Sequence, residues 1–193
     1  MKLCIFCSAN EQIDPYFFEK TAELGRWAAR QGHTIVYGGV GQGLMECVAK
    51  ATKEAGGHTI GVVPRIIEEG KRTSQYVDEV MACQDLNDRK QLMLEESDVF
   101  IALPGGIGTF EEFFETLTLK QLGRHRKPMA LLNTLGYYEA LTALLERAAA
   151  DGFLARRCFL LYGLCATPRE ALDHVLTEQA PAGGLDRLED YSR

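Results

Sequence analysis

Long apolar runs are missing from this 193-residue chain. None approaches the ~18 residues that a membrane-spanning helix needs, and Lys2 leads into a strand-like segment rather than the apolar core of a signal peptide. A soluble, cytoplasmic protein with no membrane partner is expected. Basic clustering is scarce as well. Lys and Arg total 21 against 27 Asp and Glu, a formal charge of −6, and only Arg124, Arg126 and Lys127 sit together, so nucleic acid finds no basic stripe. His33, His58, His125 and His174 are too dispersed for a metal site, and no metal is expected. The six cysteines read as reduced thiols. Cys4 and Cys7 form the only CxxC, but it lies in the strand pattern Leu3-Cys4-Ile5-Phe6-Cys7. Three positions apart on a strand, the two point to opposite faces and read as small buried hydrophobes rather than a redox pair.

What is present is a repeated alternation. With 46% hydrophobic and 25% charged residues, the chain can bury one substantial core. Short apolar runs predict strands over Lys2–Phe6, Thr34–Tyr37, Thr59–Val63, Asp78–Ala82, Asp98–Leu103, Met129–Leu132 and Phe159–Leu161. Helical periodicity predicts helices over Tyr16–Gln31, Leu44–Ala55, Arg89–Glu96, Thr109–Leu122, Tyr137–Ala150 and Pro168–Leu176. Strand and helix in turn give an α/β fold, a doubly wound and mainly parallel sheet flanked by helices. Residues 1–178 are expected to form its one nucleotide-binding domain. The linker-like Ala180-Pro181-Ala182-Gly183-Gly184 lies in a peripheral tail, 179–193.

In such a sheet ligands bind beyond the carboxyl ends of the strands, and two of those loops are glycine-rich. Gly38-Gly39-Val40-Gly41-Gln42-Gly43 follows the second strand. It fails the dinucleotide fingerprint, since a G-x-G-x-x-G read from Gly39 meets Leu44, which argues against an NAD dehydrogenase. Pro104-Gly105-Gly106-Ile107-Gly108-Thr109 follows the fifth strand and opens a helix, so its backbone N–H groups can close on an anion. No Gly-Lys-Ser/Thr follows, and a monophosphate fits better than a triphosphate.

Carboxylates and cations gather near these loops. Thr109 is placed as the N-cap of the helix beginning at Phe110, and Thr109-x-x-Glu112 fits a capping box. Phe110, Phe113, Phe114 and Leu117 mark that helix's buried face, which leaves Glu112, and beside it Glu111, on the first turn near whatever anion the loop holds. A cap and a catalytic acid are both compatible with this spacing. Asn87-Asp88-Arg89-Lys90 reads as a capped helix start with two cations in its first turn. They are a solvated basic face, or they oppose the helix dipole because a substrate phosphate or hydroxyl faces them. Glu68 and Glu69 follow the third strand and read as surface charge, or as carboxylates placed to reach a ribose.

Taken together, Tyr37-Gly38-Gly39…Gly43-Leu44-Met45, Gly61-Val62-Val63-Pro64-Arg65, Asp88-Arg89-Lys90 and Pro104-Gly105-Gly106-Ile107-Gly108-Thr109-Phe110-Glu111-Glu112 resemble the Lonely guy family of cytokinin riboside 5′-monophosphate phosphoribohydrolases. The resemblance runs from Leu3 to about Phe153. It implies a Rossmann-like homodimer that cleaves the N-glycosidic bond of a purine nucleoside 5′-monophosphate, AMP or an N6-modified form, without cofactor or metal. It also implies that Arg89 and Glu112 are the catalytic pair. Lys90, Gly105, Gly106, Ile107, Gly108, Thr109, Glu111 and Thr118 then line the nucleotide site, and Gly39, Gly43, Met45, Ser8 and Glu69 complete the substrate-binding set. Members have carried the label of lysine decarboxylase, which no lysine in a readable pyridoxal-phosphate setting supports. Val40 and Glu46 stand where the family has glycine, and Asn87 where it often has histidine. These departures bear on the base recognised more than on the reaction. A nucleosidase accepting several 5′-monophosphates and a non-catalytic carrier of a nucleotide or phosphorylated cofactor are the competing readings.

Overall fold

The computed structural model describes residues 1–65, 70 and 72–177. Seven strands form one parallel sheet: β1 (Lys2–Phe6), β2 (Thr34–Tyr37), β3 (His58–Pro64), β4 (Glu79–Cys83), β5 (Val99–Ala102), β6 (Met129–Leu132) and β7 (Gly163–Cys165). Their spatial order is β4-β3-β2-β1-β5-β6-β7. The chain winds outward from β1 to the β4 edge, then crosses back to lay β5 on the free side of β1, with Leu3 beside Val99 and Phe6 beside Ala102. The winding reverses between β1 and β5. A crevice opens at that switch point because neighbouring connections leave to opposite faces.

Six α-helices are described: α1 (Pro15–Arg30), α2 (Gly43–Glu54), α3 (Leu86–Glu96), α4 (Ile107–Gln121), α5 (Glu139–Ala150) and α6 (Pro168–Thr177). None is long and apolar enough to cross a membrane. Strand alternation sorts the core into two layers. Leu3, Ile5, Ile35, Tyr37, Val99 and Ile101 pack under α1, α2 and α6, whereas Phe6, Val36, Phe100, Met129 and Leu131 pack under α3, α4 and α5. Cys4 joins the second layer and Cys7 the first, the opposite facing their spacing predicts.

Two sequence expectations shift. Phe159–Leu161 was expected as the last strand, but Arg156–Leu160 is a 3₁₀ turn and the strand is Gly163–Cys165, pairing Leu164 with Leu131. Apolar residues fill this stretch almost continuously, so no period-two signal marks its register. Helix α3 begins at Leu86, capped by Asp85, whose carboxylate accepts from the N–H groups of Asn87 and Asp88 at 2.8 and 2.9 Å. Arg89 and Lys90 therefore stand beyond the first turn, and the dipole cost assigned to them disappears. The expected tail, 179–193, lies outside the described residues.

Candidate active site

The crevice is bounded by the loops after β1, β2 and β5. Leu44 N–H donates to the Ser8 carbonyl at 2.9 Å, and a β-carbon at Gly43, whose φ is +59°, would stand 2.4 Å from the Ala9 carbonyl carbon. Glycine is therefore what lets the second loop touch the first. Ser8 Oγ accepts from Asn10 N–H at 3.0 Å, a local turn that fixes its rim position. On the other side of the Gly38–Gly43 loop lies the segment around Arg72–Ser74. Ser74 N–H donates to the Gly39 carbonyl and Gly41 N–H to that of Arg72, each at 2.8 Å.

After β5 the chain passes through Pro104-Gly105 and enters α4. The N-cap is Gly106, in extended conformation, and not Thr109. Thr109 is the third residue of the helix and is buried. It lies so close over Gly105 that a β-carbon there would stand 2.1 Å from its Oγ1. The capping box falls with this shift: Glu112 belongs to the second turn. Gly106 and Gly108 are exposed, and a β-carbon on either would meet nothing within 4 Å. The first-turn N–H groups of Ile107, Gly108 and Thr109 have no preceding carbonyls within the helix to accept from them.

The buried stripe of α4 also differs from expectation. Thr109, Glu112, Phe113, Thr116 and Lys120 face inward, while Phe110, Phe114 and Leu117 are only half-buried. A polar inward stripe is costly without partners, and here Thr116 Oγ1 donates to the Glu112 carbonyl at 2.8 Å and Lys120 Nζ to the Leu161 carbonyl at 2.7 Å. Glu112, its side chain 8% exposed, holds Oε1 3.2 Å from Nη2 of Arg89. Burial pushes the Glu112 carboxyl above the ordinary glutamate value, and the Arg89 charge opposes that shift. The Arg89 side chain is 12% exposed, and its Nε and Nη2 atoms are buried and make no hydrogen bond among the described residues. Lys90, one step along α3, pairs with both Glu111 and Glu115, and these hydrogen bonds raise its affinity for the proton.

The structure brings most of the expected residues together. Arg89, Lys90, Glu111 and Glu112 converge from α3 and α4, and Met45 reaches the same crevice through Gly38, where a β-carbon would lie 3.1 Å from its sulfur. Gly39, Gly43 and Ser8 bound it, while Gly105, Gly106, Ile107, Gly108 and Thr109 form the opposite lip. Thr118 is not brought there. It lines a separate apolar groove with Phe114, Leu117, Leu145 and Tyr162. Glu69 lies outside the described residues.

Several contributors escaped the sequence reading. Gly38 matters because the Arg89 guanidinium occupies the space its side chain would fill. Tyr137 and Tyr138 donate their phenolic hydrogens to the carbonyls of Gly105 and Leu103, each at 2.6 Å. Gln91, Thr116 and Arg124 join Asn87, Lys90 and Glu112 around an open cavity of about 470 Å³ between α3 and α4.

Residues 45–175 match the family model described as "Possible lysine decarboxylase". A cytokinin riboside 5′-monophosphate phosphoribohydrolase of Arabidopsis thaliana is 39% identical over 180 residues, which is 93% of this chain and 83% of the relative. The chain is a member of the Lonely guy family. A second such phosphoribohydrolase of the same plant is 39% identical over 154 residues, 80% of this chain and 71% of the relative. Among solved structures, the Moco carrier protein of Chlamydomonas reinhardtii superposes with a TM-score of 0.68 at 26% identity, covering 91% of this chain and 94% of that one. In this Lonely guy protein the two departures from family glycines are accommodated locally. Val40 bridges to Thr73, and Glu46 lies in the first turn of α2 with one carboxylate oxygen buried.

Proposed function

We propose that this protein hydrolyses the N-glycosidic bond of a purine nucleoside 5′-monophosphate, AMP or an N6-modified AMP, to the free base and ribose 5-phosphate. The observation that carries the reading is the buried Arg89–Glu112 pair one helical turn beyond the glycine lip. From Gly108 to Glu112 the helix rises about 6 Å, which suits the reach of ribose 5-phosphate from phosphorus to C1′. With the phosphate on the N–H groups of the lip, C1′ comes beside the Glu112 carboxylate.

As the C1′–N9 bond breaks, its electron pair leaves with the base and positive charge builds on the sugar. Water then adds to C1′ and surrenders a proton. A carboxylate about 4 Å from that charge, at an effective dielectric near 20, is worth roughly 4 kcal/mol, or about a thousandfold in rate. Binding through the phosphate supplies positioning besides. Arg89 orients the carboxylate and keeps it ionised. None of these steps calls for a metal or cofactor.

The half-buried Phe114, Leu117 and Leu145 around the apolar groove support a homodimer formed through α4 and α5, in a cytoplasmic protein. Incubating the protein with AMP, prenylated AMP, GMP and CMP and separating the products by chromatography tests the activity. Free base with equimolar ribose 5-phosphate is expected. Stoichiometric binding without product would favour a carrier instead.

A further inference from the structure

The turn after β6 is held more tightly than a surface connection requires. Asn133 Oδ1 accepts from Tyr138 N–H at 2.7 Å, and the Asn133 and Thr134 carbonyls accept from Gly136 and Tyr137 N–H at 3.1 Å. Within it Leu135 takes φ +55°, a left-handed conformation that costs a leucine free energy, and its side chain stays 65% exposed, so its own burial does not compensate. The turn instead places two consecutive tyrosines against the neighbouring loop. Tyr138 is 1% exposed, packs edge-on to Phe110 and Tyr137, and donates to the Leu103 carbonyl. Tyr137 stacks edge-on to Phe17 and donates to the Gly105 carbonyl.

Because the peptide unit is planar and trans, the Gly105 C=O and the Gly106 N–H point in opposite directions. A phenol that fixes the first fixes the second. We infer that Tyr137 is a positioning residue for the phosphate-binding lip: by holding the Gly105 carbonyl it turns the Gly106 N–H outward, toward the 5′-phosphate, before substrate arrives. The inference rests on the function proposed above. It assigns the β6 turn a role in recognising the phosphate rather than the base, with Tyr138 anchoring the preceding carbonyl and leaving the Pro104–Gly106 bend little freedom. Tyr137 touches neither C1′ nor the base in this arrangement, so its loss weakens binding without changing the chemical step.

The test is Tyr137→Phe, which keeps both ring contacts and removes one hydrogen bond. Ribose 5-phosphate binding is measured by calorimetry for both proteins, with KM, kcat and the pH profile for AMP, and thermal unfolding confirms the fold. Loss of one preorganised hydrogen bond predicts a five- to tenfold weaker Kd for ribose 5-phosphate and a matching rise in KM. The kcat stays within about twofold, and the pH profile does not move. Equal ribose 5-phosphate binding by the two proteins overturns the positioning role alone. A drop in kcat at unchanged KM does the same. Failure of the unaltered protein to bind ribose 5-phosphate overturns this inference alone, whereas absence of AMP turnover by the unaltered protein overturns the proposed function and the inference with it.

Discussion

Gly38 and Arg89 are fitted to one another: a β-carbon at position 38 would stand 2.0 Å from Arg89 Nη2. The atom displaced is the tip of a flexible side chain, not backbone, so the fold can yield while the ion pair with Glu112 cannot. Gly38→Ala should therefore leave the chain folded but with a lower melting temperature, because the ion pair is separated, and lower kcat/KM for AMP by 100-fold or more. Calorimetric melting beside steady-state kinetics checks both; an active Gly38→Ala would show that Arg89 is dispensable.

Glu112→Gln keeps the shape of the side chain and removes its charge. A kcat about a thousandfold lower follows from the loss of roughly 4 kcal/mol of charge stabilisation. Ribose 5-phosphate should still bind, because the lip is intact. It leaves Arg89 buried without its counter-charge, so a lower melting temperature is also expected.

The proposed mechanism requires ionised Glu112, and burial raises that group's pKa. Activity must then fall on acidification through an inflection above the ordinary glutamate range, not at it. Removing the opposing cation in Arg89→Gln should move the residual activity's acid limb to still higher pH. A pH profile of kcat/KM, which reports the free enzyme, measures this for both proteins, and a limb at or below the ordinary glutamate value in the unaltered enzyme would contradict the burial argument.

Gly106 and Gly105 differ in what stands over them. At Gly106 a β-carbon meets nothing of the protein, so Gly106→Ala should cost no more than about 1 kcal/mol, the scale of an N-cap change, while the methyl enters the anion's space. At Gly105 the methyl would collide with buried Thr109. Ribose 5-phosphate affinity should drop at least tenfold in both variants, with the melting temperature falling appreciably only in Gly105→Ala.

If α4 and α5 form the dimer contact, Leu117→Glu should place a charge in it. Sedimentation should then show a dimer for the unaltered chain and a monomer for the variant. A monomeric unaltered protein would assign the apolar groove another role.

The strand–helix alternation was legible in the sequence because parallel strands buried on both faces leave short, well-bounded apolar runs, such as Val99-Phe100-Ile101-Ala102. Where the apolar run outlasts the strand, as from Phe159 to Cys165, composition alone does not mark which part pairs. The candidate site was legible as types and spacing: Arg89, Glu112 and the glycine lip. Its fine placement was not. Thr109 looks like a cap because local sequence cannot show that Gly106, three residues earlier, already starts the helix. The roles of Gly38 and Tyr137 rest on contacts across 51 and 32 positions of chain respectively, which no local pattern encodes.

Helix α3 is the return crossing from the β4 edge to the centre of the sheet, and it carries Arg89. Its partner Glu112 lies on α4, after β5 has slotted in beside β1. The ion pair is thus assembled from segments on either side of the most non-local strand pairing in the half of the sheet from β4 to β5, and such closures are slow. On refolding from denaturant, helical signal should return first and turnover should trail it, reappearing with the insertion of β5.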